Sequence, residues 1–421
     1  MRKTVWLALL STAAVCFPAL TQQVREESLV INVEVPVRVF KGSAFVDTLN
    51  AADFEVYENG AAQKIEAVYL VKKRTIERRE EETKFKPDTA RNFYLLFEIT
   101  DYVPRLDDAL RYFVFDVLSP GDNIVLVTPL KTYRMLSEAI AAKRKEDLLA
   151  QFQGILRRDA SMGTSEFRNI VQELERLSRA LSQQIALAQQ VDLSPPIANP
   201  EIPQRKDDLS SPENEGRSID DLLQRYSMLL TQLDTIRALD PQKALDLAKY
   251  LKGVEGQKNV FLFYQREFIP KIDPKILYQY MELYQDRPDL QHKVTELFEF
   301  YKRELTFDPE LIKNAFADAA VSVHFLFLTP APDVVQGVRL EEQSDDVYAA
   351  FREIARASGG FVESSANPAM LMKSAVEASE SYYLIYYSPQ KYVRDGTFRE
   401  IKVRVKNSDL RLVHRLGYFA R

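Results

Sequence analysis

Asn92-Phe93-Tyr94-Leu95-Leu96-Phe97-Glu98-Ile99-Thr100-Asp101-Tyr102 is the stretch whose reading decides the fold. From Phe93 to Phe97 its apolar residues do not alternate with polar ones, so a strand there meets protein on both faces. The run then breaks into acidic and hydroxyl side chains. Ile124 to Val127, Val260 to Tyr264 and Val321 to Leu328 repeat the pattern. Helix-like stretches separate them, at Arg105–Leu118, Lys143–Leu156 and Pro274–Ala320. Strands apolar on both faces, alternating with helices, predict a parallel sheet between helix layers. The expectation is an α/β fold, a doubly wound and mostly parallel sheet spanning residues 91–389.

Outward from this core the period changes. Leu29, Ile31, Val33, Val35, Val37 and Val39 alternate with polar residues, as do Ile401, Val403 and Val405 near the other end. Period two marks strands with one buried face, the antiparallel habit. Phe54–Tyr57 and Ile65–Val71 read as further strands, joined by a turn at Glu58-Asn59-Gly60. An antiparallel β domain formed from both chain ends, 22–71 with 390–421, is expected to flank the α/β domain. The charged run Lys72 to Pro87, KKRTIERREEETKFKP, has little to bury and reads as a solvated linker over 72–90. Two stretches carry long apolar stripes at spacings of three and four, from Phe167 to Ala188 and from Ile219 to Ile236. The second belongs to an insertion around 192–238, and between the two stripes lies Leu193 to Arg217, rich in proline and charge. It predicts an antiparallel helix pair with an unstructured tip.

Composition narrows the function. The chain has 421 residues, 56 Lys plus Arg against 61 Asp plus Glu, and a net charge of -5. A nucleic-acid partner needs a basic domain or stripe, which this balance does not provide. Met1-Arg2-Lys3, the apolar run Val5 to Val15 and the small residues before Gln22 describe a secretory signal peptide over 1–21. Its apolar core is too short to span a bilayer, which takes about 20 residues. The single cysteine, Cys16, lies inside this segment, and Val15 before it argues against a lipid anchor. A secreted or periplasmic protein with no transmembrane segment is expected.

Several motifs occur in a telling order. They are Ala52-Asp53-Phe54-Glu55-Val56-Tyr57-Glu58-Asn59-Gly60, then Asn92–Phe97, Gly359-Gly360-Phe361, Tyr382–Pro389, Phe398–Val403 and Arg415-Leu416-Gly417-Tyr418-Phe419-Ala420. In this order the chain resembles the VWFA-related family of exported bacterial proteins, built on a von Willebrand factor A-type domain. The resemblance implies a ligand site at the carboxyl end of the sheet, where such folds form crevices. It also implies a metal held by an Asp-x-Ser-x-Ser motif, a Thr from a second loop and a later Asp. Oxygen ligands of this kind suit Mg²⁺. Here the first motif reads Glu98-Ile99-Thr100-Asp101-Tyr102, Thr164 matches the second loop, and Gln265-Arg266-Glu267 stands where the family places its Asp. Glu98, Thr100 and Thr164 are the candidate metal ligands. Arg266, a fixed cation, opposes a divalent one there. The site reads as a degenerate metal-ion-dependent adhesion site with no cofactor, and its ligand-binding residues are Glu98, Thr100, Asp101, Tyr102, Thr164, Gln265 and Arg266.

Catalysis has less support. The three histidines, His292, His324 and His414, stand far apart in sequence. The chain has no Gly-x-Ser-x-Gly elbow, no His-Glu-x-x-His and no phosphate-cradling Gly-Lys-Ser/Thr. The expected function is adhesion or assembly through a protein partner of the cell envelope or exterior, not enzymatic. The alternative is an extracytoplasmic hydrolase whose site follows no familiar motif.

Overall fold

In chain order the strands of the computed structural model are β1 (Val33–Lys41), β2 (Ala44–Phe45), β3 (Phe54–Glu58), β4 (Ala61–Gln63), β5 (Ile65–Lys72), β6 (Thr75–Glu81), β7 (Arg91–Glu98), β8 (Asn123–Val127), β9 (Thr132–Met135), β10 (Gln257–Gln265), β11 (Phe268–Ile272), β12 (Ser322–Leu328), β13 (Val338–Glu342), β14 (Val362–Ser365), β15 (Ser381–Tyr387), β16 (Phe398–Val405), β17 (Arg411–His414) and β18 (Gly417–Phe419). The helices are α1 (Leu106–Tyr112), α2 (Ser137–Ala141), α3 (Lys145–Gly163), α4 (Ser165–Asp192), α5 (Ile219–Arg237), α6 (Pro241–Lys252), α7 (Pro274–Leu283), α8 (Pro288–Thr295), α9 (Pro309–Asp318), α10 (Asp345–Ala357) and α11 (Pro368–Glu377). The structure describes residues 31–82, 84–192, 218–302, 307–332, 335, 337–406 and 409–421, without the side chains of 185–192. The expected leader at 1–21 with Cys16, and the Pro-rich tip at Leu193–Arg217, lie outside the described residues.

The strands form four sheets. One is mixed, in the order β14-β12-β10-β7-β8-β9. Its first five strands run parallel and β9 turns back antiparallel to β8. The other three are antiparallel: β17-β1-β15-β5-β6 with β2 beside β1, β18-β16-β3-β4, and the ribbon β11-β13.

This arrangement corrects the expectation of a doubly wound, mostly parallel sheet with an antiparallel β domain at its flank. Among the described residues most of the strands are antiparallel, and only one mixed sheet contains parallel pairs. The reason lies in what a continuous apolar run reports. Tyr382 to Tyr387 is buried on both faces, yet β15 lies in the middle of an antiparallel sheet between β1 and β5. Tyr69, Tyr382 and Tyr386 fill one side of that sheet, while Tyr383 packs on Phe45 and Phe54 from the other. Burial on two faces shows that both faces are covered and leaves strand direction open.

The charged run also differs from the expected linker, because residues 75–81 form strand β6 at a sheet edge. Of its half-buried side chains Ile76 packs on the apolar cluster, and Arg78 and Glu80 are charged but occupied. Arg78 donates to the carbonyls of Asp47 and Leu49, and the Ala51 N–H donates to Glu80 at 2.7 Å. Charged residues on an edge strand also discourage pairing with another chain.

The core divides by chemistry. On one face of the mixed sheet Phe93, Leu95, Phe97, Phe261 and Phe263 pack on α1, α3 and α11. On the other, Tyr94, Val260 and Val323 meet α6, α9 and α10. Helices α4 and α5 build a separate cluster. Leu174, Leu177 and Leu181 interleave with Leu222, Tyr226, Leu230 and Leu233, together with Ile269 and Ile272 of β11 and residues of α7 and α8. Tyr226 Oη and Ser178 Oγ both donate to the carbonyl of Pro270, at 2.6 and 3.2 Å. The two apolar stripes thus face each other across the ribbon. Among the described residues no helix is long and apolar enough to cross a membrane.

Candidate functional site

Parallel strands end together, so the loops that follow β7, β8, β10 and β12 gather at one end of the mixed sheet. Each chain segment there ends for a visible reason. After Glu98 the backbone leaves the sheet and is caught by Gln265 at the end of β10, whose Oε1 accepts the Asp101 N–H at 3.2 Å. Asp101 Oδ1 accepts the Tyr102 N–H at 2.8 Å and faces Arg168 of α4 at 3.6 Å. Tyr102 donates its phenol to Asp107, and Arg157 donates to that phenol at 3.3 Å while lying 5.4 Å from the ring centre. Burial, then the bond to Asp107, pushes the Tyr102 phenol up to about 12. Residues 98–107 are therefore fixed by β10, α3 and α4 at once.

Glu98 is exposed at the end of β7. The protein around it pushes its carboxyl up to about 6, the nearby Lys243 opposes this, and solvent reaching the side chain screens both effects. Thr100 is half-buried in the following turn. Thr164 sits between α3 and α4, buried, and spends its hydroxyl on the Ala160 carbonyl at 2.6 Å. Arg266 turns away from this loop: its Nε lies 3.1 Å from Glu342 of β13 and its guanidinium rests near Phe268 and Phe327.

These engagements bear on the Mg²⁺ that the family resemblance implies. The Thr164 hydroxyl donates to its own helix, and Asp101, largely in water, faces Arg168. Among the described residues no group of three or more His, Cys, Asp or Glu is placed to hold a metal.

Three features of this end escape the motif reading. Asp159 of α3 is fully buried and accepts from Thr128 Oγ1 at 2.8 Å, Tyr133 Oη at 2.7 Å and Arg158 Nε at 2.9 Å. Burial raises its carboxyl, but the hydrogen bonds outweigh this and hold it below the ordinary value. An acid on the apolar stripe of Phe152, Ile155, Leu156 and Ala160 is a signal the sequence did carry. Glu267 forms a buried ion pair with Arg237 of α5, accepts from Tyr264 Oη at 3.0 Å, and its N–H donates to Ser344 Oγ at 2.8 Å. It ties the helical cluster to the mixed sheet. Leu130 and Met162, finally, are 40% and 59% exposed. The backbone beside each meets the other's segment, because a Cβ on Gly163 would lie 2.8 Å from the Pro129 carbonyl carbon and 3.0 Å from the Leu130 nitrogen.

The structure thus brings together Asp101, Tyr102 and Gln265 with Arg157 and Arg168, and turns the Arg266 side chain toward Glu342. No family model, no curated protein and no solved structure matches this chain.

Proposed function

We propose that the chain is an exported module that binds a protein partner at the carboxyl end of β7, β8 and β10, in adhesion or assembly, without chemistry. The observation that carries this reading is the exposed pair Leu130 and Met162 beside a loop already fixed by Gln265, Arg157 and Arg168. Apolar side chains held in water next to a rigid, ion-paired rim suit a protein interface, whose centre is apolar and whose rim is polar. A preordered loop loses little conformational entropy on association. The signal-like residues 1–21 and the motif order shared with the VWFA-related family support the exported part of the reading.

The test is site-specific photo-crosslinking of the exported chain in its native host. Probes at Leu130 and at Met162 are expected to capture the same species, and a probe at Val393, itself 58% exposed, is expected to miss it. Equal capture at all three positions overturns the assignment of the binding end. Turnover of a hydrolase substrate that survives in Leu130→Ser and Met162→Ser variants would favour the enzymatic alternative.

A further inference from the structure

We infer that residues Ser381–Arg421, together with β1, β3, β5 and β6, form a clasp that opens as one unit ahead of the mixed sheet. Strand pairing is the first ground. β1 lies against β15 on one edge, from Val33↔Tyr387 to Val37↔Tyr383, and against β17 on the other, from Val37↔His414 to Phe40↔Arg411. β3 pairs with β16 from Glu58↔Ile401 to Phe54↔Val405. Apart from the short β2 and β4, these N-terminal strands have their described partners in the last 41 residues, Ser381 to Arg421. Buried Glu58 joins the two antiparallel sheets by accepting from both Tyr387 Oη at 2.8 Å and Tyr418 Oη at 2.9 Å.

The second ground is how this unit meets the helices. The Leu416 N–H donates to the Ala357 carbonyl at 2.7 Å, Arg415 to the Ala317 carbonyl at 3.4 Å, and Arg38 to the Gly359 carbonyl at 2.7 Å. These acceptors lie at the C-terminal ends of α9 and α10, where carbonyls lack intrahelical partners and cations are favoured. Gly359 permits the approach. Its φ is +72° and a Cβ there would lie 2.9 Å from the His414 carbonyl carbon.

The third ground ranks the two units. The mixed sheet is held by apolar packing on both faces. The seam is instead polar: Arg38 and Arg415 are 5% and 7% exposed, and the Nε of each is buried without a hydrogen-bond partner among the described residues. Desolvated cations return less stability than apolar contacts of the same area. Cooperative units of unequal stability open separately.

Native-state hydrogen exchange on the full chain tests this. Amides of Val33–Val37, Tyr382–Tyr387 and Ile401–Val405 are expected to share one opening equilibrium, at least about tenfold more populated than that of Phe93–Phe97 and Val260–Tyr264. Gly359→Ala is expected to raise the first opening about tenfold more and leave the second unchanged. If that variant does not accumulate folded, Arg415→Met is read the same way. A single opening common to both sets, independent exchange of Val33–Val37 and Tyr382–Tyr387, or a variant that shifts both sets equally overturns the clasp.

Discussion

The amino end of the mixed sheet and the loop that follows β7 at its carboxyl end treat charge in opposite ways. At the amino end, charged groups are buried and used to join parts of the chain. Arg91 and Asp122 form a two-point pair at 3.0 and 2.6 Å with side chains 3% and 0% exposed, and Arg38, Lys258 and Arg415 are buried nearby. At the carboxyl end, the pairs of Arg157 with Asp107 and Arg168 with Asp101 lie in reach of solvent, beside exposed Leu130 and Met162. A buried pair cannot exchange its partner without leaving a bare charge in protein, whereas a solvated pair can. The difference teaches that the amino end is built for closure, whereas the loop after β7 keeps exchangeable pairs above the buried Glu267–Arg237 pair and Asp159 of the same end.

Breaking one ion pair at each end tests this contrast most severely. Asp122→Ala leaves Arg91 buried and uncompensated, and is expected to cost about 3–5 kcal/mol. Asp101→Ala removes a carboxylate that is mostly in water, and is expected to cost less than about 1 kcal/mol. Urea midpoints of the two variants, read with a common slope, measure both. Comparable losses at the two ends would remove the distinction.

Much of the fold's material was legible, and less of its arrangement. Phe93 to Phe97 and Val260 to Tyr264 are strands, as their unbroken apolar runs require. Tyr382 to Tyr387 has the same appearance and lies in an antiparallel sheet, because covered faces look alike whatever the direction of the neighbouring strand. β6 was hidden by its charge: the half-buried positions of an edge strand can be Arg78 and Glu80 when loop backbone bonds them. In the site, the turn after Glu98 and the closeness of Gln265 follow from strands that end together. The orientation of Arg266 did not, since Glu342, its partner, arrives from a ribbon far along the chain. Gly359-Gly360 and Arg415–Ala420 were visible only as separate motifs. Their contact, through the Leu416 N–H and the Ala357 carbonyl, needs the folded chain.

A pH series sharpens the comparison with a smaller effect. Burial lowers Lys258 from 10.5 to about 8, with Arg415 adding to the shift and Glu34 opposing it. The folded chain therefore holds this proton less tightly than the unfolded chain. Between about 8 and 10.5 the unfolded chain carries more protons, so stability rises with pH across that interval. Tyrosines such as Tyr386 and Tyr387, held protonated by burial, act in the opposite sense near pH 10, so the clean window ends at about 9.5. Denaturant midpoints from pH 8 to about 9.5 are expected to climb, and Lys258→Met is expected to flatten the climb. A falling midpoint in the unsubstituted chain over that window contradicts the buried-cation account of the amino end.

The smallest expected effect on stability is at the opposite end, and it is the most informative about function. Met162 and Leu130 contribute little to the core, so Met162→Ser and Leu130→Ser are each expected to change stability by no more than about 0.5 kcal/mol. A protein selected only to fold gains nothing from holding these two apolar side chains in water. If they serve an interface, replacing them removes binding while the fold stays intact, the reverse of the expected effect of Asp122→Ala. Measuring partner capture and the urea midpoint on the same preparations separates these outcomes. A loss of stability of about 2 kcal/mol or more in either variant would mean that the pair is structural, and the carboxyl end would then need another explanation.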